Sequence, residues 1–165
     1  MDQTPWLIPG AVQALEGMIP PDASGWEWGS GGSTVWLARR MRDLVSVEHD
    51  GEWVATVQER LRHFGLGNVT QLYIRKGDCY YWAYADAILS APDGAFDVVL
   101  VDGRNRPRCL VNALAKMRRG GVLVLDDSQR LPYQEAIAQV PATWARQDYE
   151  GWENERKVTT IWRVG

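Results

Sequence analysis

The feature that most constrains this chain is a regular alternation. Short β-branched apolar runs take turns with stretches whose apolar residues recur every three or four positions. Runs at residues 25–28, 44–47, 69–74, 96–101, 122–125 and 158–164 have the length and composition of strands. Ala11, Val12, Leu15, Met18 and Ile19 share one helical face that Pro20-Pro21 closes, and Val35, Leu37, Ala38 and Met41 share another. Trp53, Val54, Val57, Leu61 and Phe64 form a third face, with Gly65 and Gly67 just past its end. Residues 79–89, 108–117 and 131–140 read as further helices. The run at 96–101 is almost wholly apolar, which suits a strand covered on both faces. Strand and helix in strict succession imply parallel βαβ units with right-handed crossovers, and so a doubly wound α/β sheet. A length of 165 residues suits one domain, 1–165, with a proper core.

Composition narrows the partners. The net charge of −3 is modest, so neither nucleic acid nor an acidic membrane is expected as partner. Basic residues cluster only locally, at Arg104, Arg106 and Arg108 and at Lys116, Arg118 and Arg119. No apolar run approaches the ~18 residues of a membrane span, and no basic-then-apolar leader opens the chain. A cytoplasmic location is therefore expected. Cys79 and Cys109 lie outside any metal-ligand spacing and read as reduced thiols. Nine tryptophans are expected mainly in the core. The alternative is that Trp82, Trp144, Trp152 and Trp162 wall a pocket for a flat substrate.

Doubly wound sheets bind ligands beyond the carboxyl ends of their strands, so the residues just past each strand matter most. After the first strand comes Glu27-Trp28-Gly29-Ser30-Gly31-Gly32-Ser33-Thr34, a loop through which backbone can approach a ligand closely. Thr34 stands where a pyrophosphate fingerprint needs its third glycine, and the loop lacks a closing Lys-Ser/Thr pair, which excludes a P-loop. The second strand ends in Glu48-His49-Asp50, where a carboxylate is suited to two ribose hydroxyls and lies about 20 residues beyond the loop. Gly77-Asp78, Asp102-Gly103-Arg104 and Asp126-Asp127-Ser128 end the next three strands. Carboxylates at four strand ends on one edge make a site.

Four segments in order, EWGSGGST (27–34), VSVEHD (45–50), VLVDGRNR (99–106) and GGVLVLDDS (120–128), resemble the class I S-adenosylmethionine-dependent methyltransferases. The likeness is to small bacterial members. It covers roughly residues 9–131, and Thr159-Thr160-Ile161-Trp162 is similar too. The resemblance implies a Rossmann-like, seven-stranded, mostly parallel sheet with an antiparallel last strand. It further implies S-adenosylmethionine lying across the strand ends, S-adenosylhomocysteine as product, and transfer of the methyl group to a small-molecule acceptor. By position, Glu27, Gly29, Ser30 and Gly31 would hold the methionine portion, Glu48 the ribose, His49 the adenosine side and Asp78 the adenine. Asp102 would sit beside the sulfonium and the acceptor. Asp102 and Asp127 are the candidate bases, with Arg104 beside them, and Arg104 and Arg106 could hold an acidic or phosphorylated acceptor.

The segment at 148–157 is compact and little precedes the first helix, so the acceptor pocket is expected to be open or completed by a second subunit in a homodimer. No Asn-Pro-Pro-aromatic loop of amino methyltransferases is present. Asp102, Asp126 and Asp127 raise a Mg²⁺ alternative, as in catechol-type enzymes. Arg104 lies close by, and its guanidinium pairing with the same carboxylates would need no ion, so the expectation is a site without metal. Two other readings stand beside methyl transfer. One is a dehydrogenase, which the missing third glycine disfavours. The other is a module that binds or breaks down the cofactor without transferring its methyl group.

Overall fold

A computed structural model describes residues 4–77, 79–152 and 155–165. Seven strands, β1 (Ser24–Trp28), β2 (Asp43–Glu48), β3 (Val69–Tyr73), β4 (Phe96–Val101), β5 (Met117–Leu125), β6 (Ala145–Trp152) and β7 (Arg156–Arg163), form one sheet. Their order is β3-β2-β1-β4-β5-β7-β6. β1 to β5 are mutually parallel, whereas β7 runs antiparallel to both β5 and β6. Strand order reverses between β1 and β4, which is where a crevice opens in folds of this kind.

Helices α1 (Pro9–Glu16) and α2 (Gly32–Ala38) cover one face of the sheet, and α4 (Trp82–Asp86), α5 (Arg106–Ala113) and α6 (Gln134–Ile137) cover the other. The apolar run of β4 is explained by these two layers. Val99 and Val101 pack with Tyr84, Leu110 and Ile137, while Val98 and Leu100 pack with Leu15, Leu37 and Trp36. Successive side chains of a strand point to opposite faces, so a strand buried twice has no polar phase. Helix α3 (Gly51–His63) joins α2 through Val57 and Leu61 against Val35 and Ala38. Asp50 caps it, its carboxylate accepting from the N–H groups of Glu52 and Trp53.

Several boundaries differ from the sequence reading. β6 gives no apolar alternation: most of its side chains are exposed, and the Arg146–Asp148 and Glu150–Arg156 ion pairs decorate it. It is an edge strand paired with β7, and only Tyr149 packs inward, against the α1 side of the core, so little of it demands a buried face. The helix expected over 79–89 is one turn of α4 followed by a 3₁₀ turn, Ala87–Ser90. The one expected to reach 117 ends at Ala113, and Met117 already belongs to β5. Gly120-Gly121 sits inside β5 rather than before it: Gly120 has φ 78°, and pairing with β4 shifts register between Phe96 and Val98. Such an irregularity is a bulge that needs a residue free to take positive φ. Cys79 is exposed, Cys109 is buried, and both are free thiols. Among the described residues no helix is long and apolar enough to cross a membrane.

Candidate functional site

The carboxyl ends of β1, β2, β4 and β5 surround a cleft of about 530 Å³. Its walls are the loop 29–33, the segment 48–50 with Trp53, the segment 102–104 with Arg106, and Asp126-Asp127, with Trp6 and Lys157 at the side. Of the tryptophans weighed as pocket walls, Trp82, Trp144, Trp152 and Trp162 are absent from the lining. Trp6 and Trp53, which the sequence reading passed over, are there.

Gly29 and Gly103 let the β1 and β4 loops touch. Gly29 has φ 94°, and a Cβ on it would stand 2.9 Å from the Asp102 carbonyl oxygen. A Cβ on Gly103 would fall on the Tyr84 hydroxyl and within 2.9 Å of the Gly29 nitrogen. Gly31 differs, since a Cβ there would meet only Trp53 Nε1, at 4.0 Å, and would otherwise occupy the cleft. Trp53 Nε1 donates to the Ser30 carbonyl at 2.5 Å and so braces the loop from α3.

The two glutamates take different places. Glu27 is fully buried beneath the loop and is not part of the cleft lining. Its carboxyl group accepts from the hydroxyls of Ser33, Thr34 (2.6 Å) and Ser46 (2.7 Å), the last placed opposite it by the β1–β2 register. Burial pushes its pKa up to about 7, with the three hydroxyl donors pulling the other way. Glu48 lines the cleft. Its Oε2 accepts from Ser30 N at 3.0 Å, and its Oε1 accepts from His49 N and Asp50 N at 2.7 and 2.9 Å. His49 Nδ1 lies 2.6 Å from the same Oε1, close but too poorly aligned for a hydrogen bond, while its Nε2 accepts from Arg104 Nε at 3.3 Å. Arg104 is thus an exposed rim residue tied to the end of β2.

Arg106 is the hub: the pairing with the carboxylates that the sequence suggested for Arg104 falls to Arg106 instead, because Arg104 turns to His49 at the rim. From the first turn of α5 its guanidinium reaches Asp102 Oδ1 at 2.9 Å, Asp126 Oδ2 at 3.4 Å and Asp127 Oδ2 at 3.5 Å. It also donates to the backbone carbonyls of Asp102, Gly103 and Asp126. These acceptors use its N–H groups, so Arg106 cannot serve as the anion clamp that its sequence position allowed. The i,i+4 spacing of Asp102 and Arg106 was the available signal. Burial drives the Asp102 carboxyl well above the usual carboxylate range, Arg106 opposes this, and the neighbouring carboxylates add to it. Burial likewise raises Asp126, against the Thr159 hydroxyl bond and the Arg106 charge. The position where Asp102, Asp126 and Asp127 converge is filled by a guanidinium. Among the described residues no group of three or more His, Cys, Asp or Glu is arranged to hold a metal ion. Asp78 lies outside the described residues.

A family model described as a methyltransferase domain matches residues 26–128, more than half of the chain, and the chain belongs to that family. A search of curated protein sequences gives no significant match. Among solved structures, an rRNA methylase from Streptococcus thermophilus is similar at TM-score 0.73 and 11% identity, with 93% of each chain covered. The O-methyltransferase TomG from Streptomyces achromogenes, solved in complex with SAM, matches at TM-score 0.70 and 19% identity over 94% of this chain and 79% of its own. A methyltransferase-like protein from Silicibacter pomeroyi matches at TM-score 0.67 and 22% identity over 98% and 90%. At these identities the likeness is one of fold.

Proposed function

We propose that this protein binds S-adenosylmethionine in the cleft and transfers its methyl group to a small molecule, in the cytoplasm. The observation that carries the reading is the convergence of Gly31, Glu48 and Asp102 on one cleft at the point where strand order reverses. Glu48 is the ribose partner, held in place by three backbone N–H groups that leave its oxygens further lone pairs. Gly29, Ser30 and Gly31 give the methionine portion room and backbone contacts, Glu27 supports that loop from below, and His49 flanks the adenosine. Asp78 is assigned to the adenine on the sequence resemblance.

Bound S-adenosylmethionine supplies a methyl carbon already activated by its sulfonium. The chain therefore has to align the acceptor and remove its proton, and alignment alone can contribute about 7–11 kcal/mol at the favourable end. Asp102 is the proton acceptor: it faces the cleft, Arg106 fixes its carboxyl group, and its upward shift confines the ionised, accepting form to the alkaline side of neutrality. Asp127 faces the acceptor from β5. Arg104 steadies His49 and, through it, the β2 end.

Calorimetric titration with S-adenosylmethionine and S-adenosylhomocysteine, beside Glu48→Ala, tests this. Binding that the variant weakens by about 1–3 kcal/mol is expected from losing a charged hydrogen-bond partner. A folded wild-type protein that binds neither compound refutes the reading, and methylthioadenosine as product would show cofactor breakdown instead of transfer.

A further inference from the structure

The β5 end of the cleft contains one carboxylate oxygen that the methyl-transfer reading, on which this inference rests, leaves unused. Asp127 stands two residues beyond β5 with φ 57°, a left-handed conformation that aspartate and asparagine adopt more readily than most side chains. Its side chain is more than nine-tenths buried. Oδ2 lies 2.5 Å from Arg130 Nη2 and 3.5 Å from Arg106 Nη1. Oδ1 is also buried, yet it has no hydrogen-bond partner among the described residues, although Asp127 lines the cleft. A buried carboxylate oxygen without a donor is unfavourable unless something entering the site supplies one.

The protein's own cations are committed. Arg106 spans Asp102, Asp126 and Asp127, Arg130 holds Oδ2, Arg104 is bonded to His49, and Lys157 is itself engaged. Across the cleft lie Glu48 and Asp50, which add negative charge. Trp6 borders the same cleft with its indole about three-quarters exposed.

We infer that the methyl acceptor carries a protonated amine, anchored by Asp127 Oδ1 and flanked by the face of Trp6. An ammonium donates the hydrogen bond that Oδ1 lacks, does so with a charge that strengthens the bond to the Asp127 carboxylate, and sits well over an indole ring. An anionic acceptor has no proton to give Oδ1, and the arginines beside that oxygen, Arg106 and Arg130, already pair with Asp127. A neutral hydroxyl satisfies Oδ1 without the charge gain. Asp127 is thereby a specificity-determining residue for the acceptor.

The test uses protein saturated with S-adenosylhomocysteine and three probes of one shape: phenethylamine, phenethyl alcohol and phenylacetate, titrated by calorimetry and ligand-observed NMR. The amine is expected to bind more tightly than the acid by roughly tenfold or more, with the alcohol between them. Asp127→Asn keeps a residue suited to the left-handed backbone, so it preserves the fold while removing the charge. It should weaken phenethylamine about tenfold and leave S-adenosylhomocysteine within about threefold. Trp6→Ala, at an exposed position, should weaken the amine as well. The proposal is overturned if phenylacetate binds as well as the amine, if the amine does not bind, or if Asp127→Asn leaves its affinity unchanged. A selective loss of S-adenosylhomocysteine in Asp127→Asn also overturns it, because Asp127 then holds the cofactor's own amino group. Failure of wild-type protein to bind S-adenosylhomocysteine defeats the methyl-transfer reading separately, and the probe ranking on unliganded protein then decides the amine site by itself.

Discussion

Replacing Glu27 with glutamine should remove a defined part of the pH dependence of this protein's stability. The carboxyl group is wholly buried, and burial lifts its pKa from 4.5 to about 7. The folded chain therefore binds a proton more tightly than the unfolded chain does. Its contribution to stability is complete below pH 4.5 and is lost as pH rises through 7. Across that window the rise is worth ~3 kcal/mol of stability. Glutamine has nearly the same shape, carries no charge, and offers an acceptor plus a donor to hydroxyls that rotate to suit it. The variant should match the wild type near pH 4.5 and exceed it by ~3 kcal/mol near pH 8.5. Urea denaturation of both proteins at matched pH measures the difference directly. The upward shifts of Asp102 and Asp126 act in both proteins and largely cancel. A difference that stays constant with pH, or one in which the variant loses ground as pH rises, would refute the argument that Glu27 is held against its desolvation.

Gly103→Ala should destabilise by ~3 kcal/mol or more in thermal denaturation, because its Cβ meets Tyr84 and the Gly29 backbone. Gly67→Ala, with nothing within 4 Å, should change little. Arg106→Leu leaves three carboxylates without their shared guanidinium, at a cost of about 3–5 kcal/mol near pH 8. Part of that loss should return near pH 5 as the carboxylates protonate, and an equal loss at both pH values would contradict the electrostatic account. Trp53→Phe removes the donor to Ser30 and should cost about 1 kcal/mol of stability while lowering affinity for S-adenosylhomocysteine in calorimetry. Methyl-transfer activity should survive EDTA, since a guanidinium occupies the space between the carboxylates. A Mg²⁺ requirement would show that Arg106 moves aside.

Much of the sheet could be read directly. The β4 run declares a strand covered twice, and the carboxylates after β2, β4 and β5 mark the edge on which the cleft opens, because both signals come from residues adjacent in the chain. β6 stayed hidden because an edge strand with exposed, ion-paired side chains has no hydrophobic period to detect. Its partnership with β7 exists only once a register places Ala145 opposite Arg163. The shortened helices have a similar origin: the chain leaves α5 to enter β5 where pairing with β4 begins, a matter of sheet contacts and not of helix propensity.

The alternation of strand and helix, the topology class and the carboxylate rim were determined by the sequence itself, since periodicity and strand-end chemistry are local properties. Only the tertiary structure decided what each charged residue does. Glu27 and Glu48 look alike in sequence, yet one lies across from Ser46 under the loop and the other opens to the cleft. Arg104 and Arg106 stand two positions apart, yet one binds His49 at the rim while the other joins carboxylates from two different strands. The electrostatic role of a buried charge depends on the groups within a few ångströms, and folding brings those together from distant parts of the chain.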